Sequence, residues 1–184
     1  MLDLETYSTR PNAVILTIGA VRFERVGPLG SFKSLEKTGD VFYRRIDAES
    51  CVKLGCHTDP NTLRWWQRQG AEARKEIEIK EDRIPIEQAL REFSEWVGEE
   101  KTECMWANGS DFDCTILREA YTLTGLEAPW KFWNSRDTRT LYDLGDVRLK
   151  DFPNDILHHA AHDCYNQVKA FHAAMERLGF EAEE

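Results

Sequence analysis

One stretch constrains the fold more than any other. Val14-Ile15-Leu16-Thr17-Ile18-Gly19-Ala20-Val21-Arg22-Phe23 is apolar and rich in β-branched residues, and it reads as a long strand. Leu2-Asp3-Leu4-Glu5-Thr6 precedes it as the head of a first strand, and Val41-Phe42-Tyr43-Arg44-Arg45-Ile46 follows as a third. Gly27-Pro28-Leu29-Gly30 supplies a turn between the second and the third. Strands that follow one another through short turns imply an antiparallel start to a sheet.

The period then changes. Asp59-Pro60 is an N-cap followed by proline at the first helical position, opening a helix through Leu63, Trp66 and Gln67. A second helix begins near Pro85, with Ile86, Ala89, Leu90, Phe93 and Val97 on one face. Cys104-Met105-Trp106-Ala107 reads as a short buried strand and Phe112 to Tyr121 as a helix with Ile116, Leu117 and Ala120 inward. Asp137 to Leu144 suggests a short helix. The last helix carries Ala160, Ala161, Cys164, Val168, Phe171, Met175 and Leu178 and stops at Gly179. Strands first, then helix–strand–helix with parallel crossovers, describe an α/β fold with a mixed sheet and helices on its faces. No repeat, low-complexity tract or linker divides the chain, so residues 1–184 are expected to form a single domain.

At 41% hydrophobic and 11% aromatic, the chain has enough for a core and too much for a disordered state. No apolar run approaches the ~20 residues that span a bilayer, and no signal peptide opens the chain, so no membrane partner is expected. Cys51, Cys56, Cys104, Cys114 and Cys164 lack C-x-x-C spacing and are expected as reduced thiols in a cytoplasmic protein. The formal charge of −9, taken alone, argues against nucleic acid, because phosphate contacts want Lys and Arg. That inference depends on where the charge sits.

Asp3 and Glu5 stand two apart on a strand, so their side chains share a face. Alone, Asp-x-Glu in so acidic a chain is as readily a solvated strand face. Trp106-Ala107-Asn108-Gly109-Ser110-Asp111-Phe112-Asp113 is an apolar strand that ends in Asn-Gly and turns into a helix. Ligands in mixed α/β sheets gather at such strand ends, and the plainer alternative is that Asp111 or Asp113 caps the helix. His158-His159-Ala160-Ala161-His162-Asp163 opens the last helix. His158 and His162 have the spacing of a zinc pair that Asp163 could join, against the alternative of exposed histidines at a polar helix start. Trp65 and Trp66 cannot both face one core from neighbouring helical positions. One is expected to pack inward, leaving the other to stack a terminal base or simply to cover the surface.

Asp3-x-Glu5, Asn108-x-x-x-Phe112-Asp113 and His158-x-x-x-x-Asp163 together resemble the three motifs of the DnaQ-like (DEDDh) 3′–5′ exonucleases. Order, internal spacing and the strand, strand-end and helix settings all agree. The sister group with a catalytic tyrosine would carry it four positions before the last aspartate, where this chain has His159. Asp3-Leu4-Glu5-Thr6, Pro11-Asn12-Ala13-Val14-Ile15, Thr62-Leu63-Arg64-Trp65-Trp66, Trp106-Ala107-Asn108-Gly109 and Arg136-Asp137-Thr138-Arg139-Thr140 are spread over most of the chain. They resemble the phage and bacterial branch that holds phage exonuclease A, the nuclease part of exodeoxyribonuclease VIII and a mycobacterial 3′–5′ exoribonuclease. Only Met1 and Leu2 stand ahead of Asp3, so the first strand is expected to be short or the natural start to lie upstream.

The resemblance implies an RNase H-like fold, a central mixed β-sheet flanked by α-helices. It implies hydrolysis of phosphodiester bonds at the 3′ ends of single-stranded DNA or RNA, releasing nucleoside 5′-monophosphates. DNA is placed slightly ahead of RNA; an exoribonuclease acting on RNA 3′ overhangs is the alternative. A non-catalytic binding module on a decayed nuclease fold is less favoured, because decay removes a metal carboxylate first and all four are present. A zinc hydrolase built on His158, His159 and His162 is a third reading. Dimers are frequent in the group, so a homodimer is also allowed.

Four carboxylates brought together repel one another and need a counter-charge. Hard oxygen ligands select Mg²⁺ or Mn²⁺ over zinc. Asp3, Glu5, Asp113 and Asp163 are therefore expected to hold two such ions roughly 3.5–4 Å apart, with Asp3 as the bridge. Imidazole takes a proton near neutral pH, and among His158, His159 and His162 the resemblance, through the spacing from Asp163, makes His158 the expected general base. Thr6, Asn108, Phe112, Trp66, Arg136 and Arg139 are weaker candidates for substrate contact, and Asp111 is expected as a cap or outer support. With two divalent ions bound, the site presents cations to the scissile phosphate. The acidic total then no longer excludes nucleic acid, and the expected footprint is a small one on a strand end.

Overall fold

The apolar run forms a central strand of a six-stranded sheet in the computed structural model, which describes residues 1–98, 104–153 and 158–180. This strand, β2 (Ile15–Val21), is buried at every position. It lies antiparallel between β1 (Leu2–Thr6) and β3 (Val41–Ile46). On one side β4 (Arg83–Ile84) adds parallel to β3; on the other, β5 (Met105–Ala107) and β6 (Ser135–Asp137) add parallel to β1. The order is β4-β3-β2-β1-β5-β6. The helices among the described residues are α1 (Phe32–Thr38), α2 (Ala48–Lys53), α3 (Pro60–Gln67), α4 (Ala71–Glu78), α5 (Ile86–Val97), α6 (Asp113–Thr124), α7 (Thr138–Leu144) and α8 (Ala160–Arg177). None is long and apolar enough to cross a membrane.

Strand alternation divides the core. Leu2 and Leu4 of β1 and Ile18 and Ala20 of β2 pack with Leu90 and Phe93 of α5 and Ile116 and Leu117 of α6. Val21 joins Tyr142 of α7 and Val168 and Phe171 of α8 in a second cluster. This mixed sheet with helices on its faces is the expected α/β, RNase H-like arrangement.

The antiparallel start holds, but a short turn does not join β2 to β3. Helix α1 lies between them, with the Ser31 side chain accepting the Ser34 N–H at its start and Gly39 in the left-handed region at its end. It buries none of its residues, so no apolar period marked it in the sequence. Helices α2 and α4 and the two- and three-residue strands β4 and β6 were likewise too short for a periodic signal. Leu178, expected within the last helix, is the C-cap of α8 and 38% exposed, while Gly179 takes the left-handed stop position.

One glycine sets where α8 docks. A Cβ on Gly19 would lie 2.3 Å from the carbonyl carbon of Ala160 and 2.4 Å from the nitrogen of Ala161, so only hydrogen fits between β2 and the start of α8. Neither neighbour is a flexible side-chain end, and relief requires the helix to move. Gly19→Ala is expected to cost about 3 kcal/mol, the upper end of typical overpacking, as read from chemical unfolding. Because Asp163 rides on this first turn, activity should fall further than in Gly145→Ala, which crowds the far end of α8 at Ala174.

Candidate active site

Strand β1 turns Leu2 and Leu4 into one core cluster, which leaves Asp3 and Glu5 on the face that α8 covers. Asp163, in the first turn of α8, meets them there. One ligand oxygen from each of Asp3, Glu5 and Asp163 lies within 4.8 Å of the others, the sole such group of His, Cys, Asp or Glu among the described residues.

Asp113 comes from α6, where it is the first residue and 3% exposed. Strand β1 outruns β5, since its register pair with that strand is Leu2 with Ala107. The amide of Leu4 therefore lies beyond the end of β5, and it donates to Asp113 Oδ1 at 3.0 Å. Asp113 thus stands outside the group of three, yet close enough for its charge to act on both Asp3 and Glu5.

The electrostatics follow from crowding in a dry place. Burial, then the charges of Asp113, Glu5 and Asp163, push the Asp3 carboxyl well above the usual carboxylate range, opposed by a hydrogen bond from Gln167. Burial and the charges of Asp163 and Asp113 raise Glu5 as well. Burial raises Asp113 to about 7, against the pull of the Leu4 amide, its own amide and Arg139. An all-oxygen donor set that repels itself suits a hard divalent cation such as Mg²⁺ or Mn²⁺, and does not suit zinc, which prefers nitrogen and sulfur.

His158 sits one residue ahead of the α8 N-cap in the left-handed region, at φ 58°. Its Nδ1 is 3.9 Å from Glu5 Oε1, and its ring lies edge-to-face with Trp65 at 5.1 Å and Trp66 at 5.7 Å. Burial lowers its pKa. The three histidines do not share a centre. His159 stacks on Tyr43 and His162 on Phe32, each at 4.1 Å, so the zinc trio of His158, His159 and His162 is not assembled.

An open cleft of about 520 Å³ runs from Glu5 past Thr6, Phe112 and Asn61 to Trp65 and Trp66. The two tryptophans divide as their spacing required. Trp66 is 2% exposed and donates its indole N–H to the Thr6 carbonyl at 2.9 Å; Trp65 is 44% exposed. Trp66, the candidate for substrate contact, is thus largely buried where it borders the cleft, and Trp65 is the more exposed of the two rings. Thr6 borders the cleft, but its hydroxyl donates to the Ser8 carbonyl at 2.6 Å.

The remaining candidates shape the strand-end turn and are absent from the cleft lining. Asn108 Oδ1 accepts a 3.4 Å contact from the Thr138 hydroxyl, and Arg139 packs its guanidinium over Gly109. Arg136 donates to the carbonyls of Trp133 and Ser135. Asp111 is exposed and does not cap α6, whose N-cap is Phe112 without a side-chain hydrogen bond. The turn is held by Asp137, which accepts the Ser110 amide at 2.6 Å and caps α7 through the Arg139 amide at 2.8 Å. Sequence reasoning missed Gln167, although it lies one helical turn beyond Asp163 and so on the same face of α8.

A family model described as a Rv2179c-like 3′-5′ exoribonuclease domain matches residues 1–175. The chain is also similar to an exodeoxyribonuclease of Enterobacteria phage T4, 23% identical over 195 residues that cover 91% of this chain and 85% of the phage protein. With the mixed sheet and the acidic site on β1 and α8, the match over nearly the whole chain shows that it belongs to the Rv2179c-like family of DnaQ-like 3′–5′ exonucleases and is a 3′–5′ exonuclease.

Proposed function

We propose that this exonuclease hydrolyses single-stranded 3′ ends, with Asp3, Glu5, Asp113 and Asp163 holding two Mg²⁺ or Mn²⁺ ions and His158 as general base. The observation that carries this reading is the gathering of ligand oxygens of Asp3, Glu5 and Asp163 within 4.8 Å, with Glu5 also lining an aromatic-walled cleft. When bound, the ions supply positive charge at the scissile phosphate and lower the pKa of an attacking water.

The protein supplies the rest. Asp3, Glu5 and Asp163 would hold the ions together, with Asp113 beside them. His158 has Nδ1 toward Glu5, which favours the tautomer protonated there and leaves Nε2 to accept the water's proton. Partial burial beside Trp65 and Trp66 lowers the pKa of the ring, which favours the neutral form that can accept a proton. Trp65 and Phe112 offer faces to an unpaired terminal base, which supports single strands as the substrate form. The free cysteines support a reducing, cytoplasmic setting. Site residues drawn from β1 and α8, near opposite ends of the sequence, support one exonuclease domain over residues 1–184.

The family description names RNA and the phage relative acts on DNA by name, so the two stand as equal arms of the test. Matched 5′-labelled DNA and RNA oligonucleotides, single- and double-stranded, are incubated with Mg²⁺ or Mn²⁺. The expected result is a ladder shortened from the 3′ end, faster on single strands, and absent in EDTA and in Asp163→Ala. Internal cleavage, or full activity in EDTA, would overturn the reading.

A further inference from the structure

We infer that Gln167 is a positioning residue that fixes the Asp3 carboxylate for metal before any metal arrives; this rests on the reading of Asp3 as a metal ligand. Gln167 lies on α8, is 3% exposed, and donates from Nε2 to Asp3 Oδ1 at 2.8 Å. With Asp3 ionised, the form that can take a metal, only the NH₂ of the amide can face it, and the bond then fixes which way the side chain points. Its Oε1 is then buried without a hydrogen-bond partner. An apolar side chain of the same length would fill the space without stranding an oxygen. The amide therefore serves the donor, and the unpaired carbonyl is its cost to the fold.

Two further features suit the role. The backbone at this point is held, because the Tyr142 hydroxyl donates to the Gln167 carbonyl at 2.8 Å and ties α7 to α8. The donor is also neutral. A lysine here would hold Asp3 equally well but would repel the cation, whereas the amide orients one oxygen and leaves the negative charge for metal. With Asp113, Glu5 and Asp163 all pressing on Asp3, an unrestrained carboxylate would turn away from its neighbours.

The test is Gln167→Met, which keeps length and volume and removes both amide atoms. Its Mn²⁺ affinity, measured by calorimetric titration with the metal alone, should fall about 10- to 100-fold. Its unfolding midpoint in EDTA should hold or rise, because a stranded carbonyl is gone. Raising Mn²⁺ to saturation should restore the rate to within a few-fold of wild type. A merely structural glutamine predicts the opposite pair: a lower midpoint in EDTA with unchanged Mn²⁺ affinity, and that result would overturn the inference. Gln167→Leu repeats the comparison should the methionine variant not fold. Wild type and Asp163→Ala are titrated alongside. If they bind Mn²⁺ equally, the metal-site reading itself fails; if they differ but Gln167→Met matches wild type, only the role of Gln167 fails.

Discussion

Replacing Asp3 with asparagine is expected to lower the rate of 3′-end hydrolysis while making the metal-free protein more stable. The loss should be about a thousand-fold or more, because on the proposed mechanism several kcal/mol of metal-borne charge stabilisation would depend on the Asp3 carboxylate. Asparagine keeps the oxygen that accepts the Gln167 bond, so the local geometry survives. The gain in stability has a separate cause. In the folded, metal-free protein Asp3 and Glu5 titrate well above the usual carboxylate range and Asp113 is raised to about 7, so the folded state holds protons more tightly than the unfolded chain. Below about pH 4 both states are protonated and nothing is lost. As pH rises through the raised values, the folded state alone bears the cost of ionising crowded carboxylates, and its stability falls. Unfolding in EDTA should therefore show a midpoint that drops between about pH 5 and pH 8 in wild type and drops less in Asp3→Asn. At the higher pH the variant should melt a few degrees above wild type, at roughly 2–4 °C per kcal/mol for a chain of this size. Mn²⁺ should reverse the order by stabilising wild type more. A variant that keeps the wild-type rate, or that melts lower in EDTA at every pH, would sink this account.

Removing the imidazole of His158 has the second largest expected effect, and it leaves the metals in place. His158→Ala should slow hydrolysis by about 10²–10⁴-fold, the usual worth of a positioned general base. Mn²⁺ affinity should change little, because His158 is not one of the three clustered carboxylate residues. The pH profile adds a check. Burial lowers the pKa of this histidine, so the acid limb of the wild-type rate should lie below the ordinary ~6.5. That limb should be absent from the variant. His159 and His162 stack on Tyr43 and Phe32, so their alanine variants should lose stability rather than chemistry. If either of those were the inactive one, His158 is not the base.

Elements with a chemical signature could be read from the chain; those created by their neighbours could not. Helix α3 announced itself, because Asp59 caps the Asn61 amide and Pro60 stands at the first position. Strands β4 and β6 exist because β3 and β5 offer an open edge, and residues as few as Arg83 and Ile84 carry no pattern of their own. The same division runs through the site. Asp3 and Glu5 were paired by strand alternation, whereas Asp113 and Asp163 joined them only through the resemblance of the three motifs. Which of Trp65 and Trp66 faces the cleft depends on how α3 rolls against β1, a matter of docking that two adjacent tryptophans cannot express. Gln167 reads as solvated helix until α8 lies across β1 and buries it. Asp137 was read only as the start of a short helix, because its other partner, the Ser110 amide, belongs to a turn 27 residues earlier.

The placement of Asp3 on β1 and Asp163 on α8 also has a consequence in time. A ribosome adding about 5–20 residues per second needs some 10–30 s to pass from one aspartate to the other. Throughout that interval the emerging chain already displays Asp3 and Glu5 and has no partner for them. Asp163, His158 ahead of it and the start of the helix that seats over Gly19 are all made within a few residues of one another. The group of Asp3, Glu5 and Asp163 can therefore come together only once α8 has been made and docked.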